Sequence, residues 1–113
     1  IKYNQVIGIN KISNSVPKKF ELFQNYPNPF NPTTKIKFAL PPSPEGEGLG
    51  VRVLIFDIMG REVATLVNEQ LQPGTYEVDW DASNYSSGIY YYTLSAGDPM
   101  TPIRMTKKMI LIK

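Results

Sequence analysis

The chain has no cysteine and no histidine. The first absence removes a disulfide framework, a thiolate metal site and a cysteine nucleophile. The second removes the commonest general base and the commonest metal ligand. Without histidine a serine triad has no base, so Ser86 and Ser87 offer hydroxyls alone. No apolar run approaches the ~20 residues that a membrane-spanning helix needs. Val53-Leu54-Ile55-Phe56 and Met109-Ile110-Leu111-Ile112 are strand-sized. Neither an initiator methionine nor a signal peptide opens the sequence, so a C-terminal piece of a larger protein is expected. The net charge of +2 is too small to point to nucleic acid. Stability must come from packing, and a chain of 113 residues can bury roughly 60–70% of its unfolded surface.

The charge that is present is uneven. Lys2, Lys11, Lys18 and Lys19 make a basic leader, the middle is acidic, and Arg104, Lys107, Lys108 and Lys113 make a basic end. Residues 1–19 read as an interdomain linker or leader, although Ile7-Gly8-Ile9 could add an edge strand. Residues 20–113 read as one domain. Its organising stretch is Gln24-Asn25-Tyr26-Pro27-Asn28-Pro29-Phe30-Asn31-Pro32-Thr33-Thr34-Lys35-Ile36. The prolines Pro27, Pro29 and Pro32 lack backbone donors, which bars a helix or a central strand here. The stretch should form a stiff elbow with two aromatics, Tyr26 and Phe30, free to plug into something.

Short alternating runs surround the elbow. Residues 20–24, 35–40, 61–67, 75–80, 89–94 and 104–112 read as strands by period-two alternation or β-rich composition. Residues 51–56 are nearly continuously apolar and predict a central strand covered on both faces. Asp57-Ile58-Met59-Gly60 fits a type I turn, and Gln72-Pro73-Gly74 a type II turn. Pro42–Gly50 and Gly97–Pro102 read as loops. About seven such strands predict an all-β, immunoglobulin-like antiparallel β-sandwich, with an open barrel as the alternative.

Candidate chemistry is sparse. Asp79 and Asp81 sit two apart on a strand, near the ~7 Å of a carboxylate pair. Two solvent-side acids flanking a core Trp80 are far the commoner meaning. Asp57, Asp79, Asp81 or Asp98 could contribute to a calcium site, but without the loop spacing of an EF-hand the signal is weak. Gly46, Gly48 and Gly50 make a loop whose neighbours Glu45 and Glu47 would repel phosphate. Trp80, Tyr90, Tyr91 and Tyr92 could offer a sugar-stacking platform, against which stands ordinary cross-strand packing. No cofactor, no metal and no catalytic residue is expected. The end, Met105 to Lys113, could close a sheet or be recognised by strand addition with a basic doublet.

The elbow resembles the opening motif of the type A C-terminal sorting domains of the bacterial type IX secretion system. Three further blocks agree in order: Phe56-Asp57-Ile58-Met59-Gly60-Arg61-Glu62-Val63-Ala64-Thr65-Leu66-Val67, then Gly74-Thr75-Tyr76-Glu77-Val78-Asp79-Trp80-Asp81-Ala82, then Gly88-Ile89-Tyr90-Tyr91-Tyr92 with Lys107-Lys108-Met109-Ile110-Leu111. The hairpin and the Gly-Ile-Tyr strand are also similar to the immunoglobulin-like domain of flagellar hook-capping proteins. The resemblance implies a non-catalytic secretion signal at the end of a cargo from a Bacteroidota-type bacterium. Its partners would be the outer-membrane translocon and sortase-like processing machinery, with no nucleic acid and no membrane span. The product would be secreted or held at the cell surface, by way of the periplasm and outer membrane. Carried over residue by residue, the recognition set is Arg104, Lys107, Lys108, Met109, Ile110, Leu111, Ile112 and Lys113. The structural motif set is Pro27, Asn28, Pro29, Phe30, Asn31, Pro32, Gly60, Gly74, Trp80 and Gly88. The loop Pro42–Gly50 is longer and more acidic than the family pattern, and the leader is the expected place of cleavage. A carbohydrate-binding or structural accessory module of a secreted enzyme is the alternative function.

Overall fold

Eight strands follow one another along the described residues of the computed structural model, which are 9–13, 15–43, 48–97 and 102–113. They are β1 (Ile9–Ser13), β2 (Glu21–Leu22), β3 (Thr33–Leu40), β4 (Leu49–Phe56), β5 (Glu62–Leu71), β6 (Gly74–Asp81), β7 (Gly88–Ala96) and β8 (Ile103–Leu111). They form two antiparallel sheets, in the orders β1-β6-β3-β2 and β5-β4-β7-β8. This is the expected all-β sandwich: the seven strands β2 to β8 answer to the runs read from sequence, and β1 is an eighth.

The alternation of side chains explains why these sheets meet. On β6, Tyr76, Val78 and Trp80 are buried while Asp79 and Asp81 are exposed. On β3, Ile36, Phe38 and Leu40 face the same way. Val51, Val53 and Ile55 of β4, Tyr90, Tyr92 and Leu94 of β7, and Met109 and Leu111 of β8 oppose them. Each large side chain removed from water here contributes ~1.5–3 kcal/mol before entropy is counted. β4 is central in its sheet, but only one face is fully covered: Leu54 on the outer side is buried, whereas Arg52 is exposed. An antiparallel sandwich leaves its outer faces to solvent, and a continuous apolar run did not mean two buried faces here.

The hairpin between β4 and β5 has the expected turn. Gly60 N–H donates to Asp57 C=O at 2.9 Å, and Gly60 takes φ 84°, which favours glycine. The turn before β6 differs from the type II expectation. Gly74 has φ 150° and is buried as the first residue of β6, so a +80° corner is not what it supplies. It supplies room: a Cβ there would lie 2.5 Å from Lys11 Cε and 3.1 Å from Ser13 O. β1 thus lies along β6 with Ile9 opposite Val78 and Lys11 opposite Tyr76. Of the suggested edge strand, Ile7 and Gly8 lie outside the described residues. So do parts of the two loops, residues 44–47 and 98–101.

Candidate functional site: the proline elbow and the last strand

The recognition residues proposed from sequence fall on β8 and just beyond it, at one edge of the sheet. Period two sorts them. Met109 and Leu111 point into the core and are fully buried. Their side chains close the sandwich and are not on the surface a partner meets. Arg104 and Lys108 are exposed, Ile110 is half-buried, and Ile112 is 52% exposed. The Lys107-Lys108 doublet is split. Lys107 lies opposite Tyr92, whose ring is in the core, and Lys108 lies opposite Tyr91 on the outer face. Lys113 is tied down: its Nζ donates to Ser83 O at 2.7 Å and Tyr85 O at 2.9 Å, and its N–H donates to Ser87 Oγ at 2.9 Å. Arg104 reaches across the outer face until its guanidinium stands 6.0 Å from the Phe56 ring centre.

The edge of β8 is not free along its length. The elbow lies against its second half. Gln24 Nε2 donates to Lys108 O at 2.8 Å, and Ile110 N–H donates to Asn28 Oδ1 at 3.0 Å. Phe30 N–H donates to Ile110 O at 3.0 Å, and Ile112 N–H donates to Phe30 O at 2.9 Å. Phe30 and Leu111 form a parallel bridge. An open C-terminal strand, as expected from sequence, is therefore restricted to the first half of β8, where no strand among the described residues pairs beyond Arg104 and Thr106. Side-chain amides do part of the capping because proline cannot donate.

Polar groups behind the elbow hold it in place. Asn25 is buried. Its N–H donates to Tyr92 Oη at 2.8 Å, and its Nδ2 donates to Thr34 Oγ1 at 3.0 Å and Pro27 O at 3.2 Å. Thr34 Oγ1 donates to Pro27 O at 2.9 Å, and Tyr92 Oη donates to Phe23 O at 2.7 Å. Tyr26 pairs with Lys35 through backbone bonds of 3.0 and 2.9 Å. The bonds preceding Pro27, Pro29 and Pro32 are cis. Only one of the two elbow aromatics plugs: Phe30 is 2% exposed, and Tyr26 is 79% exposed. Asn25, Gln24 and Thr34 were missed by sequence reasoning, which looked for apolar anchors. A polar residue on each side of a proline cluster was the available signal.

Trp80 is the hub under the elbow. Its ring centre lies 5.8 Å from Phe30, 5.4 Å from Tyr85 and 5.5 Å from Tyr90. Trp80, Tyr90 and Tyr92 are core residues, and Tyr91 alone of the four lies half-buried on the outer face, so these rings do not share one sugar-stacking platform. Ala82 is fully buried and its N–H donates to Pro32 O at 2.8 Å. Gly88 opens β7 opposite Leu111. Pro29 and Asn31 are exposed.

The carboxylates have local employment. Asp79 pairs with Lys35 at 2.8 Å, which raises the Lys35 ammonium through that hydrogen bond and charge. Asp81 accepts from the Ser83 hydroxyl and N–H, and these bonds lower its carboxyl. Asp57 accepts from the Arg61 N–H at 2.9 Å, which with the Arg61 side chain and Met59 N–H holds it low against burial. Asp98 lies outside the described residues. Burial pushes the Tyr76 and Tyr90 hydroxyls up, and that of Tyr92 up to about 12, against a lowering by the Asn25 N–H. Nothing in this arrangement brings a nucleophile, a base and an oxyanion site together.

The chain matches, over residues 24–113, the family model described as a secretion system C-terminal sorting domain. No curated protein matches it. Among solved structures, dimeric latent PorU from Porphyromonas gingivalis is 24% identical with a TM-score of 0.64, over 88% of this chain and 10% of its own. That likeness shows the fold. PorZ of the same organism, an essential bacterial surface component of the type IX secretion system, is 26% identical with a TM-score of 0.48, over 80% of this chain and 11% of its own. The chain spans about a tenth of the length of either structure. From the first residue of the elbow to Lys113, it belongs to the secretion-system C-terminal sorting domains, the type IX signals that send a protein through the outer membrane to the cell surface or beyond.

Proposed function

We propose that the folded sandwich is read by the outer-membrane translocon through the outer face and open half-edge of β8. Arg104 and Lys108 would steer the encounter, Ile112 would add apolar contact, and the backbone of Arg104 and Thr106 would be available for strand addition. The observation that carries this is the sorting of the terminal motif. Met109 and Leu111 are buried in the core, whereas the side chains of Arg104 and Lys108 stand exposed, Arg104 on the half of the edge that no strand pairs among the described residues. Among the described residues, the side-chain ion pairs are Lys35–Asp79 and Arg61–Asp57, and neither neutralises these two cations. The domain would act without catalysis of its own, on a cargo joined covalently ahead of it. Sortase-like machinery would process the leader, residues 1–19.

The test is a reporter fused ahead of residues 1–113, with Arg104→Glu and Lys108→Glu introduced together. Deleting residues 104–113 would be uninformative, because it removes β8 and with it part of the core. Charge reversal at two exposed positions leaves folding intact. Surface delivery should fall roughly tenfold, as expected when like charges face each other across an interface. Unchanged delivery by a folded double variant would refute this reading.

A further inference from the structure

We propose that the elbow is an occupant in cis of a strand-acceptor edge, and that the partner this edge takes is an extended acidic segment with one aromatic anchor. The inference rests on the reading of β8 as the recognition element, and it names what that element binds. Four hydrogen bonds attach Gln24, Asn28 and Phe30 to Lys108, Ile110 and Ile112, in the places where a neighbouring strand would bond. The Phe30–Leu111 bridge is parallel, so the elbow runs in the direction of β8. It is a poor strand. Asn28 contributes a side-chain oxygen in place of a backbone one, and Pro27 and Pro29 have no N–H to offer.

The two halves of the edge are continuous. Upstream of Gln24 the chain pairs with the other sheet, where Leu22 lies opposite Phe38, while β2 stays close beside β8 without pairing to it. A segment that took the elbow's place and continued straight would pass Thr106 and Arg104, beyond which no strand among the described residues pairs. Its downstream part would seat an aromatic ring where Phe30 now stands, beside Trp80. Its upstream part would meet Arg104 and Lys108, which are exposed and form no ion pair among the described residues. Carboxylates complement that charge, and lysines on the entering segment would oppose it. Edge strands are normally guarded against unwanted pairing, and here the guard has the shape of the guest.

The experiment uses residues 1–113 and a labelled synthetic peptide of residues 24–34, extended at its N-terminus by either two glutamates or two lysines. Asn28→Ala and Phe30→Ala should each speed amide exchange at Ile110 and Ile112 by roughly five- to tenfold, the loss expected for about one hydrogen bond. The glutamate peptide should restore protection, and it should bind either variant about tenfold more tightly than it binds the parent chain. The lysine peptide should bind more weakly, by a margin that shrinks in high salt. Should Phe30→Ala fail to fold, Asn28→Ala carries the test alone, because Asn28 is exposed and loses only its bond to Ile110. Unchanged exchange, absence of rescue, or equal binding of both peptides overturns the proposal. None of these readouts involves export, so a failure here is distinct from a failure of the reporter assay.

Discussion

Replacing Tyr92 by phenylalanine removes one oxygen and leaves the ring in place. That oxygen joins β7 to the segment leading into the elbow. It accepts from Asn25 N–H at 2.8 Å and donates to Phe23 O at 2.7 Å, and the Tyr92 side chain is fully buried. The two bonds contribute about 1 kcal/mol each, and a buried donor left without a partner costs a further ~1–3 kcal/mol. The expected destabilisation is therefore roughly 3–5 kcal/mol. For a domain of this size that lowers Tm by roughly 10 °C or more. Urea unfolding followed by fluorescence would measure it, with an unchanged slope showing that the unfolded state is the same. The pH dependence gives a second reading. In the folded protein the Tyr92 hydroxyl is pushed up to about 12, above the ordinary value near 10. The unfolded chain then releases this proton first. The contribution is complete below about pH 10 and is lost as pH rises through the folded value. Tyr92→Phe should thus be less sensitive to alkali than the parent chain over that window. A loss of stability below about 0.5 kcal/mol at neutral pH would refute the assignment of this hydroxyl as the joint.

Two further substitutions test other parts of the sandwich. Gly74→Ala places a methyl group against Lys11 and Ser13 at a φ that L-residues rarely adopt, so it should cost about 1–3 kcal/mol and weaken amide protection along β1. Thr93 Oγ1 is buried with no hydrogen-bond partner among the described residues, so Thr93→Val should raise stability by about 1 kcal/mol in the same unfolding assay.

Most strands were legible because period two is a statement about side chains, and side chains are what a sequence displays. Tyr76, Val78 and Trp80, or Ile36, Phe38 and Leu40, needed only an inward face. The turn at Asp57–Gly60 was legible for a similar reason, since Asp and Gly have positional chemistry there. β1 was harder to see. Asn10, Lys11 and Ile12 are exposed and only Ile9 packs against the core, so no apolar rhythm marks it. What holds β1 is backbone pairing to β6 and the absence of a Cβ at Gly74. The elbow's grip on β8 was hidden for the same cause, being made of main-chain groups and amide side chains. The division of Lys107 from Lys108 was available in principle. Adjacent residues of a strand face opposite ways, and treating the pair as one charge ignored that.

The chain contains a single tryptophan, Trp80. Its neighbours are Phe30 from the elbow and Tyr85 and Tyr90 from the second sheet's approach, all within 6 Å between ring centres. Its emission is therefore a native optical gauge that needs no attached dye. Melting of the whole body would expose the indole to water and shift its colour. Withdrawal of Phe30 alone would alter its brightness while Tyr85 and Tyr90 still shield it. The two events can be told apart in one cuvette.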